Sequence, residues 1–213
     1  MRYIYEIGKQ LPKNIPAKIT CLFALLMCLY AVQEVSAQAV EPVVTATANI
    51  QPLQIGDHIP EELWHMPLQV VNHPDGKDTI TLNDYRGKLI ILDFWASYCS
   101  PCIRSIAKIS SILEERDLVD EIVLIPVLVH DTPERGEKFL KNWNSSIWSV
   151  NDGAFHLKSF FSNYISGFGA VLISDGKFVA APSAKDISYE KLKHQAERQA
   201  VEWINVSWKG VQP

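Results

Sequence analysis

The sequence predicts an α/β fold with a central mixed β-sheet flanked by helices, an N-terminal hairpin and a helical insertion late in the chain. Three observations predict it. Lys88-Leu89-Ile90-Ile91-Leu92-Asp93-Phe94 is a short apolar, partly β-branched run, the mark of a strand buried on both faces, and apolar residues follow it at 103, 106, 109, 112 and 113 with helical spacing. Glu121 to His130 is a second and more apolar run, followed by Asp131-Thr132-Pro133-Glu134, which supplies an N-cap and a proline at a helix start. Gly169-Ala170-Val171-Leu172-Ile173, Ser174-Asp175-Gly176 and Lys177-Phe178-Val179-Ala180 read as strand, tight turn and antiparallel strand. The first run suits a strand of a parallel sheet and the closing hairpin an antiparallel pair.

The remaining elements follow in order. Short strand-like pieces at Leu68 to Asn72 and Thr79 to Leu82 flank His73-Pro74-Asp75-Gly76, whose Pro-Asp-Gly is a turn signal, so a hairpin precedes the buried strand. Pro126 lies inside the second apolar run, and because proline lacks a ladder donor a bulge or an early strand end is expected there. The helix after Pro133 extends to about Trp143, and a second helical stretch is expected from about Ala154 to Tyr164. A last amphipathic helix is expected from about Ser188 to Val206, with Tyr189, Leu192, Ala196, Ala200, Trp203 and Ile204 on one face. The order is hairpin, βαβα, hairpin, α.

The first 37 residues resemble an export signal. Arg2, Lys9, Lys13 and Lys18 form a basic leading region, Ile19 to Val32 is a 14-residue mostly apolar run, and Val35-Ser36-Ala37 offers a small-x-small cleavage site before Gln38. A bilayer-spanning helix needs about 20 apolar residues, so cleavage near Ala37 and no permanent membrane anchor are expected. A lipid-anchor reading would use Cys28, but Met27 stands where such signals want a small residue. Residues 38–54, rich in Ala, Val, Thr and Pro without periodicity, are read as a disordered linker, and residues 55–213 as one domain. The whole chain carries a formal charge of -4, and without residues 1–37 the balance becomes 16 basic against 22 acidic residues. No Lys/Arg cluster marks a phosphate-binding face, which argues against nucleic acid as a partner.

The chemistry concentrates in Trp95-Ala96-Ser97-Tyr98-Cys99-Ser100-Pro101-Cys102, at the junction between the buried strand and its helix. Two thiols separated by two residues can close and reopen a disulfide within one turn. Pro101 suits the first helical turn, where a missing N–H costs nothing. Cys99 then falls at the helix N-terminus, where unpaired N–H groups and the macrodipole favour an anion. Such placement lowers a thiol pKa from about 8.5 toward roughly 7 or below, so Cys99 is read as the nucleophile and Cys102, less exposed, as the resolving thiol. Zinc would need about four ligands, whereas the other cysteines, Cys21 and Cys28, lie in the segment expected to be removed. A purely structural disulfide gains little from so short a loop. Redox exchange is the favoured reading.

Strand-Asp-Phe-Trp-Ala-x-x-Cys-x-Pro-Cys-helix resembles the thioredoxin fold. The export signal, the Leu82-Asn83-Asp84-Tyr85-Arg86-Gly87-Lys88 lead-in and the helical insert before the last hairpin are similar to the TlpA/ResA group of extracytoplasmic thiol-disulfide oxidoreductases, over roughly residues 55 to 205. The resemblance implies a periplasmic or otherwise extracytoplasmic protein disulfide reductase. It also implies protein thiols and disulfides as partners, a membrane electron donor, and no cofactor or metal beyond the redox disulfide of Cys99 and Cys102. Substrate contacts are expected at Trp95, Tyr98, Pro101 and Phe168. Asp93, six residues before Cys99, takes the position of the buried acid that relays a proton to the resolving thiol, and a buried carboxylate can act as base near neutrality. The alternative is a strand-end Asp whose charge is solvated or hydrogen bonded.

Three positions depart from the family pattern. The family carries a cis-proline facing the disulfide, but no proline occurs between Pro133 and Pro182, and Phe168, flanked by Gly167 and Gly169, falls at that place. A cis bond without proline costs about 2.5 to 4 kcal/mol, so a trans bond is expected. The Glu and Pro that the family places three and five residues after the second cysteine are Ser105 and Ala107 here. Two other functions therefore compete: a thioredoxin-like binding module gripping a partner around Phe168 with a static disulfide, and metal handling with a nitrogen ligand from His130 or His156. Asn144-Ser145-Ser146 and Asn205-Val206-Ser207 match the glycosylation sequon, meaningful only in a eukaryotic secretory host.

Overall fold

The computed structural model describes residues 50–143, 147–153, 156–198 and 201–205. The expected export signal, most of the linker, Cys21, Cys28 and the first sequon lie outside them. A short helix α1 (Glu61–Trp64) leads into a hairpin of β1 (Leu68–Val71) and β2 (Thr79–Ile80), paired Leu68 to Ile80. A 3-10 turn over Leu82–Tyr85 feeds β3 (Leu89–Trp95), which runs into α2 (Ser100–Glu115). Then come β4 (Ile122–Leu128), α3 (Pro133–Trp143), β5 (Ser149–Asn151), α4 (His156–Ser159), the hairpin β6 (Gly169–Ser174) and β7 (Lys177–Ala180), and α5 (Tyr189–Ala196). The seven strands form one mixed sheet in the order β2-β1-β5-β4-β3-β6-β7, with β3, β4 and β5 parallel to one another. This is the thioredoxin fold, an α/β architecture with a mixed sheet flanked by helices.

Every residue of β3 is buried, and its period of two distributes them between separate cores. Ile90, Leu92 and Phe94 join Ile125, Val127, Val171, Phe161 and Phe178 in one cluster. Leu89 and Ile91 pack with Ile109 and Leu113 of α2 and Leu192 of α5 in a second, while Trp95 meets Cys102 and Ile106 in a third. Asp93 shares the parity of Leu89, Ile91 and Trp95, so it sits on the side of the sheet that carries the cysteine-bearing helix. Gly136 lets α3 approach closely, because a Cβ there would collide with the Leu128 side chain.

Several expectations need correction. Pro126 causes neither a bulge nor an early end: β4 runs to Leu128 in unbroken register with β3. Its carbonyl accepts from the Ser149 hydroxyl, so its nitrogen faces β5, whose ladder to β4 begins only at Val127. The sequence reading missed β5 altogether. Of the helix expected from Ala154 to Tyr164 the described residues form only His156–Ser159, after which the chain gives way to turns in which Phe160, Phe161 and Ile165 are buried by tertiary packing. The last helix stops at Ala196, and Arg198 has a left-handed φ of 58°. Trp203 folds back instead, its indole N–H donating to Gln195 Oε1 at 3.0 Å, and Ile204 is exposed. Ordered contacts also begin before Ile55, since Leu53 donates its N–H to the Phe160 carbonyl at 2.7 Å.

Candidate active site

The end of β3 and the start of α2 place the two cysteines. Cys99 is the N-cap of α2 and Pro101 lies in its first turn, as the motif predicts. The Cys99 N–H donates to the Ala96 carbonyl at 2.9 Å and the Ile103 N–H to the Cys99 carbonyl at 3.0 Å, which fixes the turn between strand and helix. Cys99 and Cys102 form a disulfide with Cα atoms 5.3 Å apart. Cys99 is half-buried and Cys102 is buried, so the surface reaches the first sulfur more readily than the second. The preceding turn is braced from α3's side: the Asp131 carboxylate accepts from both the N–H and the hydroxyl of Ser97 and from the Thr132 N–H. These donors hold Asp131 below the usual carboxylate range against the opposing effect of its burial. Thr132 rather than Asp131 caps α3, its hydroxyl accepting from the Arg135 N–H at 3.3 Å.

A cleft of about 280 Å³ is lined by the disulfide together with Asp93, Pro101, Ser105, Phe168 and Gly169. Asp93 is only 1% exposed, and burial pushes its carboxyl up to about 7 while a 2.7 Å hydrogen bond from the Ser105 hydroxyl opposes the rise. The alternative of a solvated strand-end charge is excluded by that burial, and the hydrogen-bonded state is the one observed. A carboxyl group pushed up toward neutrality in the cleft that two sulfurs line is of the type that can exchange a proton with a thiol.

Phe168 stands on the facing wall. No cis peptide bond occurs among the described residues, so the bond before Phe168 is trans. Gly169 opens β6 with φ of 146°, a conformation that favours glycine, and pairs with Phe94. The Phe168 ring meets Tyr98 edge-on with centroids 6.2 Å apart and His130 edge-on at 5.9 Å. Tyr98 is 59% exposed and its hydroxyl donates to the His130 carbonyl at 3.0 Å.

Of the expected substrate contacts, the structure brings Pro101 and Phe168 to the cleft and Tyr98 to its rim. It does not bring Trp95, which is fully buried, donates its indole N–H to the Ser149 hydroxyl at 2.9 Å and packs against Phe139. Trp95 supports the motif from within. Among the described residues no group of three His, Cys, Asp or Glu side chains is placed to hold a metal ion. Nε2 of His130, one of the two histidines offered as a nitrogen ligand, lies 3.0 Å from the Lys158 ammonium, and the other, His156, is an exposed residue at the start of α4. Lys158, its partner Ser166 and the Asp131–Ser97 brace escaped sequence reading. Ser105 stands out in the sequence as a departure from the family pattern, and its place one turn after Cys102 on the inward face of α2 is the signal that it meets Asp93.

No protein-family model matches the chain, and no curated protein matches it. Solved structures do. A Chlorobium tepidum protein assigned as the thiol:disulfide interchange protein DsbE is similar with a TM-score of 0.55 and 21% identity, over 68% of this chain and 98% of that one. The thioredoxin domain of a thiol-disulfide oxidoreductase from Bacteroides vulgatus gives 0.50 and 20%, over 68% and 97%. The exposed lipoprotein thioredoxin of Streptococcus pneumoniae gives 0.50 and 23%, over 62% and 98%. At these identities the likeness shows the fold, which here carries a Cys-x-x-Cys pair at disulfide distance.

Proposed function

We propose that this protein is an exported thiol-disulfide oxidoreductase that reduces disulfides in partner proteins through Cys99 and Cys102. The observation that carries the reading is the disulfide at the N-cap of α2 with the buried Asp93 carboxyl in the same cleft. In the reduced protein the Cys99 thiolate attacks one sulfur of a substrate disulfide, which breaks that bond, forms a mixed disulfide and releases the other substrate sulfur as a thiolate that takes a proton. Asp93 then accepts the Cys102 thiol proton, and the Cys102 thiolate attacks Cys99 Sγ. The second substrate thiolate leaves, the substrate has gained two electrons, and Cys99–Cys102 is closed. Reopening it requires two electrons and two protons from a donor, which in an exported protein we assign to a membrane partner.

Tyr98, Pro101 and Phe168 supply the surface on which a partner polypeptide docks. The exported location rests on the leading basic and apolar segment and its small-residue cleavage site. An equilibrium redox titration against glutathione tests the reading. A potential near that of thioredoxin, about -270 mV, supports a reductase. One near the strong oxidants, about -120 mV, reverses the direction. A disulfide that does not titrate leaves a binding module.

A further inference from the structure

We propose that Lys158 is the positioning residue of the segment that faces the disulfide: its ammonium, held between the Ser166 carbonyl and the His130 ring, sets Phe168 at the cleft containing Cys99. This rests on the thiol-disulfide reading above and deepens it, giving the wall opposite the disulfide a means of support other than proline.

Lysine is almost never fully buried without a task for its charge. Lys158 is 9% exposed, and its Nζ donates to the Ser166 carbonyl at 2.7 Å and lies 3.0 Å from His130 Nε2. Both partners adjoin Phe168, Ser166 two residues before it in the chain and His130 through the edge-on ring contact. The third side of Phe168 is closed by Tyr98, the neighbour of Cys99, whose hydroxyl is bonded to the His130 carbonyl. Two contacts thus connect a buried ammonium to the residue next to the nucleophile. The segment is tied at its ends, by the buried Ile165 and by Gly169 paired with Phe94, and is open between them. A Cβ at Gly167 would meet nothing within 4 Å, and Phe168 is itself 36% exposed.

The charge is retained at a cost. Burial lowers the Lys158 ammonium and the Asp152 carboxylate raises it, while Asp152 is anchored by the N–H groups of Leu157 and Lys158 at 3.1 and 2.8 Å. Burial and the adjacent ammonium keep His130 below its usual range, and because an ammonium only donates, the contact requires the tautomer whose Nε2 accepts. An apolar chain of the same length could make neither of the two hydrogen bonds near Phe168.

The test compares Lys158→Met with the wild-type full chain in reduction of insulin disulfides, in exchange with a small aromatic disulfide, and in redox potential. The expected result is a KM for insulin raised about tenfold, the effect of losing a hydrogen bond from a charged group, with small-disulfide exchange and potential unmoved. A folded Lys158→Met with the wild-type KM overturns the proposal, and so does an equal loss with both substrates, which would make Lys158 a plain core residue. If Lys158→Met does not fold, His130→Leu and His130→Gln decide. His130→Leu raises the KM while His130→Gln, which keeps an acceptor, restores it, and equal values overturn the proposal. A wild-type protein that exchanges with neither substrate overturns the thiol-disulfide reading and this one with it, whereas wild-type exchange with an unmoved KM overturns this one alone.

Discussion

The Ser105 hydroxyl donates a 2.7 Å hydrogen bond to Oδ2 of Asp93, and both side chains are buried in the cleft that holds the Cys99–Cys102 disulfide. The bond stabilises the carboxylate, and burial favours the neutral acid. Burial is the larger effect, and the carboxyl reaches about 7. Ser105→Ala removes the opposing contribution. A hydrogen bond to a charged group is worth about 1.5–3 kcal/mol, so the acid limb of the pH–rate profile for protein-disulfide reduction moves alkaline by about one pH unit or more. An unmoved limb would mean that Asp93 does not take the resolving proton.

Asp93 also makes the stability of the oxidised protein depend on pH. Its folded value of about 7 lies above the ordinary 3.8, so between these values the folded state binds more protons than the unfolded chain. The stabilisation is complete below pH 3.8 and is lost as pH rises through 7, by up to roughly 4 kcal/mol. Asp93→Asn cannot ionise and keeps its neutral amide at all pH. Denaturant unfolding at pH 5 and pH 8 is expected to show the variant's stability relative to wild type clearly higher at pH 8 than at pH 5. A difference of the same size at both would assign the effect to shape rather than charge.

Exposure orders the two sulfurs, Cys99 half-buried at the N-cap and Cys102 buried one turn on. Cys102→Ser retains the attacking thiol and lacks its resolver, so partner proteins are expected to accumulate as mixed disulfides on Cys99. They are read as reductant-sensitive adducts on non-reducing gels. Trapping by Cys99→Ser instead of Cys102→Ser would reverse the roles.

What the sequence made legible was local. Strand, cap, Pro101 and amphipathic helix occur within about 30 consecutive residues, and the burial of β3 follows from its unbroken apolar run. What it hid depends on partners distant in the chain. Three residues of β5 carry no periodicity, and they are strand because Val71 pairs with Ser149 and Val127 with Val150. Phe160, Phe161 and Ile165 have helical spacing, yet sheet packing rather than a helix buries them. Trp95 reads as a substrate contact beside the motif, and the Ser149 hydroxyl, 54 positions away, explains how its indole can be buried. Nothing local to Lys158 announces that its side chain is buried against the Ser166 carbonyl and the His130 ring.

The export reading predicts a mature chain beginning at Gln38, after the small residues Ser36 and Ala37. N-terminal sequencing of protein from the native host checks it. A lipid-linked Cys28, or an intact chain retained in the membrane, would replace the exported assignment with an anchored one.

Phe168 separates a docking wall from a binding contact. Its peptide bond is trans and its ring rests against Tyr98 and His130, so the backbone beside Cys99 is presented differently from a wall built on cis-proline. Phe168→Pro restores the residue type but removes both ring contacts and one backbone N–H, and proline at an incompatible φ costs stability. Melting temperature is therefore measured together with insulin reduction. The expected outcome is a folded, somewhat less stable variant whose turnover of protein disulfides changes while exchange with a small disulfide does not, because the sulfurs and Asp93 are untouched. Unchanged turnover with both would show that this position does not control docking. Loss of partner capture with normal small-disulfide exchange and no gain in insulin reduction would identify the ring itself as the contact, and Phe168→Leu, which retains apolar bulk without the edge-on geometry, would then recover only part of it.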